Sequence, residues 1–173
     1  MSLEQAILDA IHKEVPVYYE DRGDERKEAQ LVAVAHGFSE ATKHFARIGF
    51  TRTEAAAYLI TIAKFETNFS LRIQMGNCRK KECDHGLAVG LFQLHESKIL
   101  PHEEWEGLKG LSAEVVEKQA TYALGYISGG RFACGKDPAQ VLTNYAGRRC
   151  SATDWAGLAP RLAFYNKILR RLQ

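Results

Sequence analysis

The sequence predicts a mainly α-helical domain with little or no β-sheet. Three observations carry that prediction. Apolar residues recur at three- and four-residue spacing between recognisable helix caps, no long alternating run marks a strand, and the composition is that of an ordinary globular protein. A chain of 173 residues falls within the usual one-domain range of about 100–200, so residues 1–173 are read as one domain. Hydrophobic residues make up 46% and charged residues 25%, which excludes a disordered chain. A chain of this length can bury about 70% of its unfolded surface, enough for a core without metal. Lys and Arg number 23 against 21 Asp and Glu, and the resulting +2 is too balanced for a charge-driven nucleic-acid binder. No stretch approaches the roughly 20 apolar residues of a membrane span.

The elements follow in order. A first helix is expected from Leu3 to Val15, stopped by Pro16, with a polar loop from Tyr18 to Asp24. A long helix is expected from Glu25 to Ile48, with a break near Gly37 and Gly49 as its stop. Thr51 stands three residues before Glu54, the spacing of a capping box, and opens a helix that runs to Glu66. Residues 68–87 read as irregular, and Leu87 to Leu94 as a short strand or extended loop. Ser112 caps a helix expected to end near Gly129 and Gly130. Asp137-Pro138 is a helix start with proline at the first helical position, and Pro160 starts the last helix. That last helix alternates Arg161, Lys167, Arg170 and Arg171 with apolar residues, a packed helix with a solvated face.

The helix ending at Glu66 is the informative one. At about 100° per residue, Ala55, Leu59 and Ile62 form one stripe, and Glu66 is its next member. Glu54, Thr61 and Lys64 fall on the opposite face. An ionisable carboxyl thus ends an apolar stripe. Burial raises a carboxyl pKa, and a raised pKa lets the group hold a proton at neutral pH and donate it. The plainer alternative is a last-turn Glu that bends to solvent or pairs with an arginine. Gly90-Leu91-Phe92-Gln93 downstream could bring polar donors across a cleft from Glu66, with Gly90 permitting close backbone approach.

These segments resemble a known family. Glu66-Thr67-Asn68-Phe69 looks like the "Glu-Ser-x-Phe" segment of lytic transglycosylases and goose-type lysozymes. Gly90-Leu91-Phe92-Gln93-Leu94 resembles their "Gly-Leu-Met-Gln-Ile/Val" motif, with Phe92 in the Met position. Thr143-Asn144-Tyr145-Ala146-Gly147 resembles "Ala-Tyr-Asn-Ala-Gly", with the Asn and Tyr in swapped order. The three motifs occur in the family's order and span Thr51 to Gly147. The resemblance implies a lysozyme-like, two-lobed helical fold and cleavage of the β-1,4 bond between N-acetylmuramic acid and N-acetylglucosamine in peptidoglycan. It maps the catalytic acid onto Glu66 and cleft-lining residues onto Leu91, Phe92 and Gln93. Either Asn144 or Tyr145 would face Glu66, with Tyr145 favoured by its chemistry. Goose-type lysozymes carry an Asp six residues before the Gly of the second motif, and Asp84 stands there. Their further Asp, two residues after the Gln, is His95 here.

The implied mechanism forks. A hydrolase would pair Glu66 with a second carboxyl group about 6.5–9.5 Å away across a water. Asp84 is the candidate, with Glu82 and Glu96 as weaker stand-ins. A transglycosylase needs only Glu66, which acts as acid and then as base while the muramic 6-hydroxyl closes a 1,6-anhydro ring. Tyr122, Tyr126 and Tyr145 are candidate sugar contacts, the first two sharing a helix face at four-residue spacing. Trp105 and Trp155 could stack on sugars or pack in the core. No cofactor and no metal are called for. The expected partner is the peptidoglycan glycan strand, met by a monomer. Two other classes remain: a catalytically inactive wall-binding relative, and a helix-turn-helix module over residues 53–69, which lacks a basic face.

Four cysteines allow three connectivities. Proximity favours Cys78–Cys83 and Cys134–Cys150, and with them an oxidising compartment, periplasmic or secreted. A zinc site and free buried thiols are the alternatives; both cysteine pairs lack the usual gap between paired zinc ligands. The start Met1-Ser2-Leu3-Glu4 has no basic residue leading into an apolar run, so no signal peptide is read there.

Overall fold

A computed structural model describes residues 1–45 and 49–173. It is mainly helical with one tiny two-stranded sheet. The expected end of the second helix at Ile48 lies outside the described residues.

Helix α1 (Leu3–Glu14) is capped by the Ser2 hydroxyl, which accepts from the Gln5 amide. A 3-10 turn at Tyr19–Asp21 leads to α2 (Arg26–Phe45). No break occurs at Gly37. Glycine is there because α7 (Ala113–Cys134) crosses at that point. A Cβ on Gly37 would lie 2.7 Å from Val116 Cγ1 and 2.9 Å from the Ala113 carbonyl oxygen. The residue read as a helix breaker is a helix-crossing residue.

Helix α3 (Arg52–Glu66) starts with the expected capping box: Glu54 N–H donates to Thr51 Oγ1 at 3.1 Å, and Thr51 N–H to Glu54 Oε2 at 2.7 Å. Its environment differs from the expectation. Every residue from Ala55 to Ala63 is buried, including Thr61 on the face read as polar. Helices α1, α2, α7 and α9 (Leu158–Leu172) all pack against it, so it is the central rod of the core, buried on both faces rather than on one.

The stretch read as irregular holds one single-turn helix, α4 (Leu71–Gln74), and a one-turn segment, α5 (Cys83–Gly86), whose residues all have left-handed φ. Residues 88–95 form a hairpin: β1 (Ala88–Val89) pairs antiparallel with β2 (Leu94–His95), Ala88 opposite His95 and Val89 opposite Leu94. A short helix α6 (His102–Glu106) went unread in the sequence. Helix α7 does not stop at Gly129-Gly130 but runs on to Cys134. A Cβ on Gly130 would lie 2.8 Å from Asn144 Oδ1, so the glycine lets α8 (Pro138–Tyr145) approach. The Asp137 side chain caps α8 at the Ala139 amide. Helix α9 begins at Leu158, and Pro160 sits in its first turn, where the missing amide has no intrahelical partner to lose.

The cysteines form two disulfides, Cys78–Cys83 and Cys134–Cys150, which leaves no thiolate for the zinc alternative. The second ties the end of α7 to the loop after α8. Among the described residues, no helix is long and apolar enough to cross a membrane.

Candidate active site

Glu66 is the last residue of α3, and the chain turns sharply after it. Asn68 and Phe69 have φ of 50° and 55°, left-handed values that non-glycine residues adopt at a cost. Helix α2 fixes this turn. The Phe69 carbonyl accepts from the Lys27 ammonium and, at 3.0 Å, from Gln30 Nε2. Lys27 is buried with Asp21 at 3.0 Å, and burial pulls its pKa below the usual ammonium value. The Thr67 hydroxyl lies 3.0 Å from the Ala63 carbonyl and 3.2 Å from the Leu91 carbonyl, joining the end of α3 to the hairpin loop.

The hairpin loop Gly90–Gln93 is held through its backbone. Gly90 has φ of 72°, and a Cβ there would lie 2.6 Å from Gln119 Cδ. Gln119 needs that space. Its Oε1 accepts from the Leu91 amide at 2.9 Å and its Nε2 donates to the Leu108 carbonyl at 2.6 Å. The Tyr145 hydroxyl donates to the Phe92 carbonyl at 3.1 Å, and Trp105 Nε1 to the Leu94 carbonyl at 2.8 Å. The Leu91, Phe92 and Leu94 carbonyls are thus satisfied from three different places, the C-cap of α3, α8 and α6.

Between this loop and the end of α8 lies a cleft of about 600 Å³. Glu66 lines it, its side chain 27% exposed, together with Phe92, Gln93 and Tyr145. The three segments that carried the family resemblance therefore meet at one cavity. Burial raises the Glu66 pKa above the ordinary carboxylate value, while the guanidinium of Arg161, Nη2 to Oε1 at 3.5 Å, pulls it back down. Burial is the larger effect. Burial, reinforced by the charge of Glu66, also raises the Tyr145 phenol, which stays protonated and can donate.

Asp84 lines the same cleft and stands 3.6 Å from His95 Nε2. The backbone that carries it is unusual: Cys83, Asp84 and His85 have φ of 52°, 47° and 58° in succession, tethered by the Cys78–Cys83 bridge. The two stand-in carboxylates do not reach the cleft. Glu82 is bound by Arg72, whose hydrogen bond lowers its pKa to about 2. Glu96 pairs with His102 at 2.9 Å.

Other expected contacts are redistributed. Leu91 is fully buried in the core and gives the site only its backbone. Of Asn144 and Tyr145, only Tyr145 lines the Glu66 cleft; Asn144 lines an adjoining hollow of about 200 Å³, which Tyr145, Tyr126, Gln93 and His95 also border. Tyr122 and Tyr126 share a face, as expected, but along a groove of about 540 Å³ beyond that hollow. Tyr122 is bound there to Glu104 and does not line the Glu66 cleft. Trp105 is buried behind the hairpin, whereas Trp155 lines the cleft. A still larger hollow of about 760 Å³, lined by Glu103, Glu104, Glu114 and Glu117, shares no residue with the Glu66 cleft.

Sequence reasoning missed Arg148 and Arg161 as cleft residues. Arg161 left a signal. It lies three residues after buried Leu158 and four before buried Tyr165, so it interrupts the buried stripe of α9 with a charged group. Arg148 left none, because its position depends on the left-handed turn at Gly147.

No protein-family model, no curated protein and no solved structure matches this chain.

Proposed function

We propose that the chain is a peptidoglycan-cleaving glycosidase of lysozyme-like, two-lobed fold, acting on the β-1,4 bond between N-acetylmuramic acid and N-acetylglucosamine. The observation that carries this reading is the burial-raised carboxyl of Glu66, in a cleft it shares with Gln93 and Tyr145. The resemblance to lytic transglycosylases and goose-type lysozymes supplies the substrate. Protonated Glu66 gives its proton to the glycosidic oxygen. The bond from that oxygen to the muramic C1 breaks, and its electron pair leaves with the glucosamine O4. Glu66, now a carboxylate, takes the proton of the hydroxyl that attacks C1. If that hydroxyl is the sugar's own 6-OH, the product is a 1,6-anhydro ring; if it is water, the product is a reducing sugar. The Tyr145 phenol, fixed by its bond to the Phe92 carbonyl, borders the charge that moves on Glu66. The reading needs neither cofactor nor metal. It takes the protein as a monomer acting in the periplasm or after secretion, for which the two disulfides are support.

A second reading, an inverting muramidase, is favoured by Asp84 lining the same cleft, where it could orient the attacking water. The two differ by one water in the mass of the released muropeptides.

The test is Glu66→Gln. The variant is expected to lose at least about 100-fold in clearing of purified cell walls, with helical circular dichroism unchanged. Clearing at the wild-type rate would reject Glu66 as the acid.

A further inference from the structure

The glycosidase reading leaves one wall of the cleft without a role. Arg148 and Arg161 both lie against Trp155, each guanidinium carbon 5.0 Å from the ring centroid. Arg161 is also 4.9 Å from the Phe65 ring. Trp155 is itself fixed, with Nε1 donating to Thr143 Oγ1 at 3.1 Å. Gly157 leaves room for it, since a Cβ there would lie 2.1 Å from Trp155 Cζ3. The aromatic face thus orients two cations at the edge of a cavity.

Neither cation is neutralised tightly. Arg161 meets Glu66 at 3.5 Å, beyond the roughly 2.7–2.9 Å of a charge-assisted hydrogen bond. Arg148 is exposed and pairs with no carboxylate among the described residues. The cleft's other acid, Asp84, is 3.6 Å from His95. A guanidinium presents a planar fork of donors that matches a carboxylate, and two of them on one wall exceed what neutral sugar hydroxyls require.

We propose that Arg148 and Arg161 form a carboxylate-binding subsite beside the scissile bond, so that the enzyme selects glycan strands carrying an anionic substituent next to Glu66. The proposal rests on the glycosidase reading and specifies its substrate. The carboxylate has two sources in peptidoglycan: the free lactyl group of a peptide-free muramic acid, or the stem peptide of a substituted one.

The experiment compares three strand preparations: peptide-bearing, peptide-free with free lactyl carboxylates, and peptide-free with those carboxylates converted to methylamides. For the wild-type chain, KM is expected to be about tenfold lower on at least one charged preparation than on the neutral one. The charged preparation that shows the advantage identifies the source. Arg148→Gln is expected to flatten the difference, and Arg148→Lys to restore part of it. Added salt should erode the advantage in the wild type. Equal wild-type KM on all three preparations, with cleavage proceeding, would overturn the subsite and leave the glycosidase reading standing. Cleavage of none of them would overturn the glycosidase reading and the subsite with it.

Discussion

The two walls of the Glu66 cleft are built by different means. The hairpin wall is held through its backbone: the carbonyls of Leu91, Phe92 and Leu94 each receive a side-chain donor, and the Leu91 amide is bound by Gln119. The opposite wall is held through its side chains, two guanidinium groups lying on one indole. Backbone anchoring fixes a shape, because carbonyl positions change only when the chain itself moves. Side-chain stacking presents charge and lets each head group swing to a partner at small cost. A site that needs a fixed frame around a proton donor, and an adaptable contact for a substituent, gains from having one of each.

A glycine stands behind each wall, and the two allow a direct comparison. Gly90 combines a left-handed φ with contact against Gln119. Gly90→Ala must therefore strain the backbone and dislodge a buried amide that satisfies two backbone groups. The expected loss is about 2–4 kcal/mol, from the left-handed conformation and the broken buried hydrogen bonds together. Thermal or urea unfolding measures it, and wall-clearing activity should fall with it because the loop facing Glu66 moves. A change below about 0.5 kcal/mol would show that the hairpin wall is not held as described.

Gly157 differs from Gly90 in one respect. Its φ is −78°, so a side chain there meets no backbone strain, only the Trp155 ring and, at 2.9 Å, Arg161 Nη1. Gly157→Ala is expected to cost about 1–2 kcal/mol, the lower part of the roughly 1–3 kcal/mol range for overpacking, less than Gly90→Ala in the same unfolding experiment. Its larger signature is selective. Displacing Trp155 removes the platform under both arginines, so KM on charged strands should rise more than KM on neutralised ones. An equal rise on both would mean that Trp155 serves packing alone.

The contrast also explains what could be read from the sequence. The hairpin wall was largely legible, because Glu66, Gly90 and Gln93 carry their meaning in local pattern: a carboxyl on an apolar stripe, and a glycine beside a glutamine in a short tight run. The caps at Thr51, Ser112 and Asp137 are local as well, and the first residues of their helices follow from them. Gly37 and Gly130 were misread as breaks because their reason is a neighbouring helix, and nothing within a few residues reveals it. The same holds for Thr61, buried because α3 is surrounded on all sides. The basic wall was illegible for that reason. Arg148, Trp155 and Arg161 come from a turn, a loop and a helix that only the packing of α8 and α9 brings together.

Arg161 joins the two walls, and its removal has the smallest and most specific expected effect. Burial raises the Glu66 pKa and Arg161 lowers it, so Arg161→Gln leaves burial less opposed and the pKa rises further. If Glu66 works as a protonated acid, the alkaline limb of kcat/KM moves to higher pH in the variant. Neutralised strands are the proper substrate for this measurement, because charged ones would also report the lost carboxylate contact. Stability gives an independent check on the sign. A carboxyl whose folded pKa lies above its unfolded value contributes stability that is fully present below the unfolded pKa and is lost as pH rises through the folded one. Raising the folded pKa moves the upper edge of that window upward, so the ionised Glu66 penalises the folded variant more at neutral pH. Arg161→Gln should therefore lose stability relative to wild type near neutrality. Part of that loss should vanish as pH falls below the ordinary carboxylate range, and the lost contacts with Phe65 and Trp155 should leave a remainder independent of pH. A stability difference with no dependence on pH would reduce Arg161 to a packing residue and detach it from the proton on Glu66.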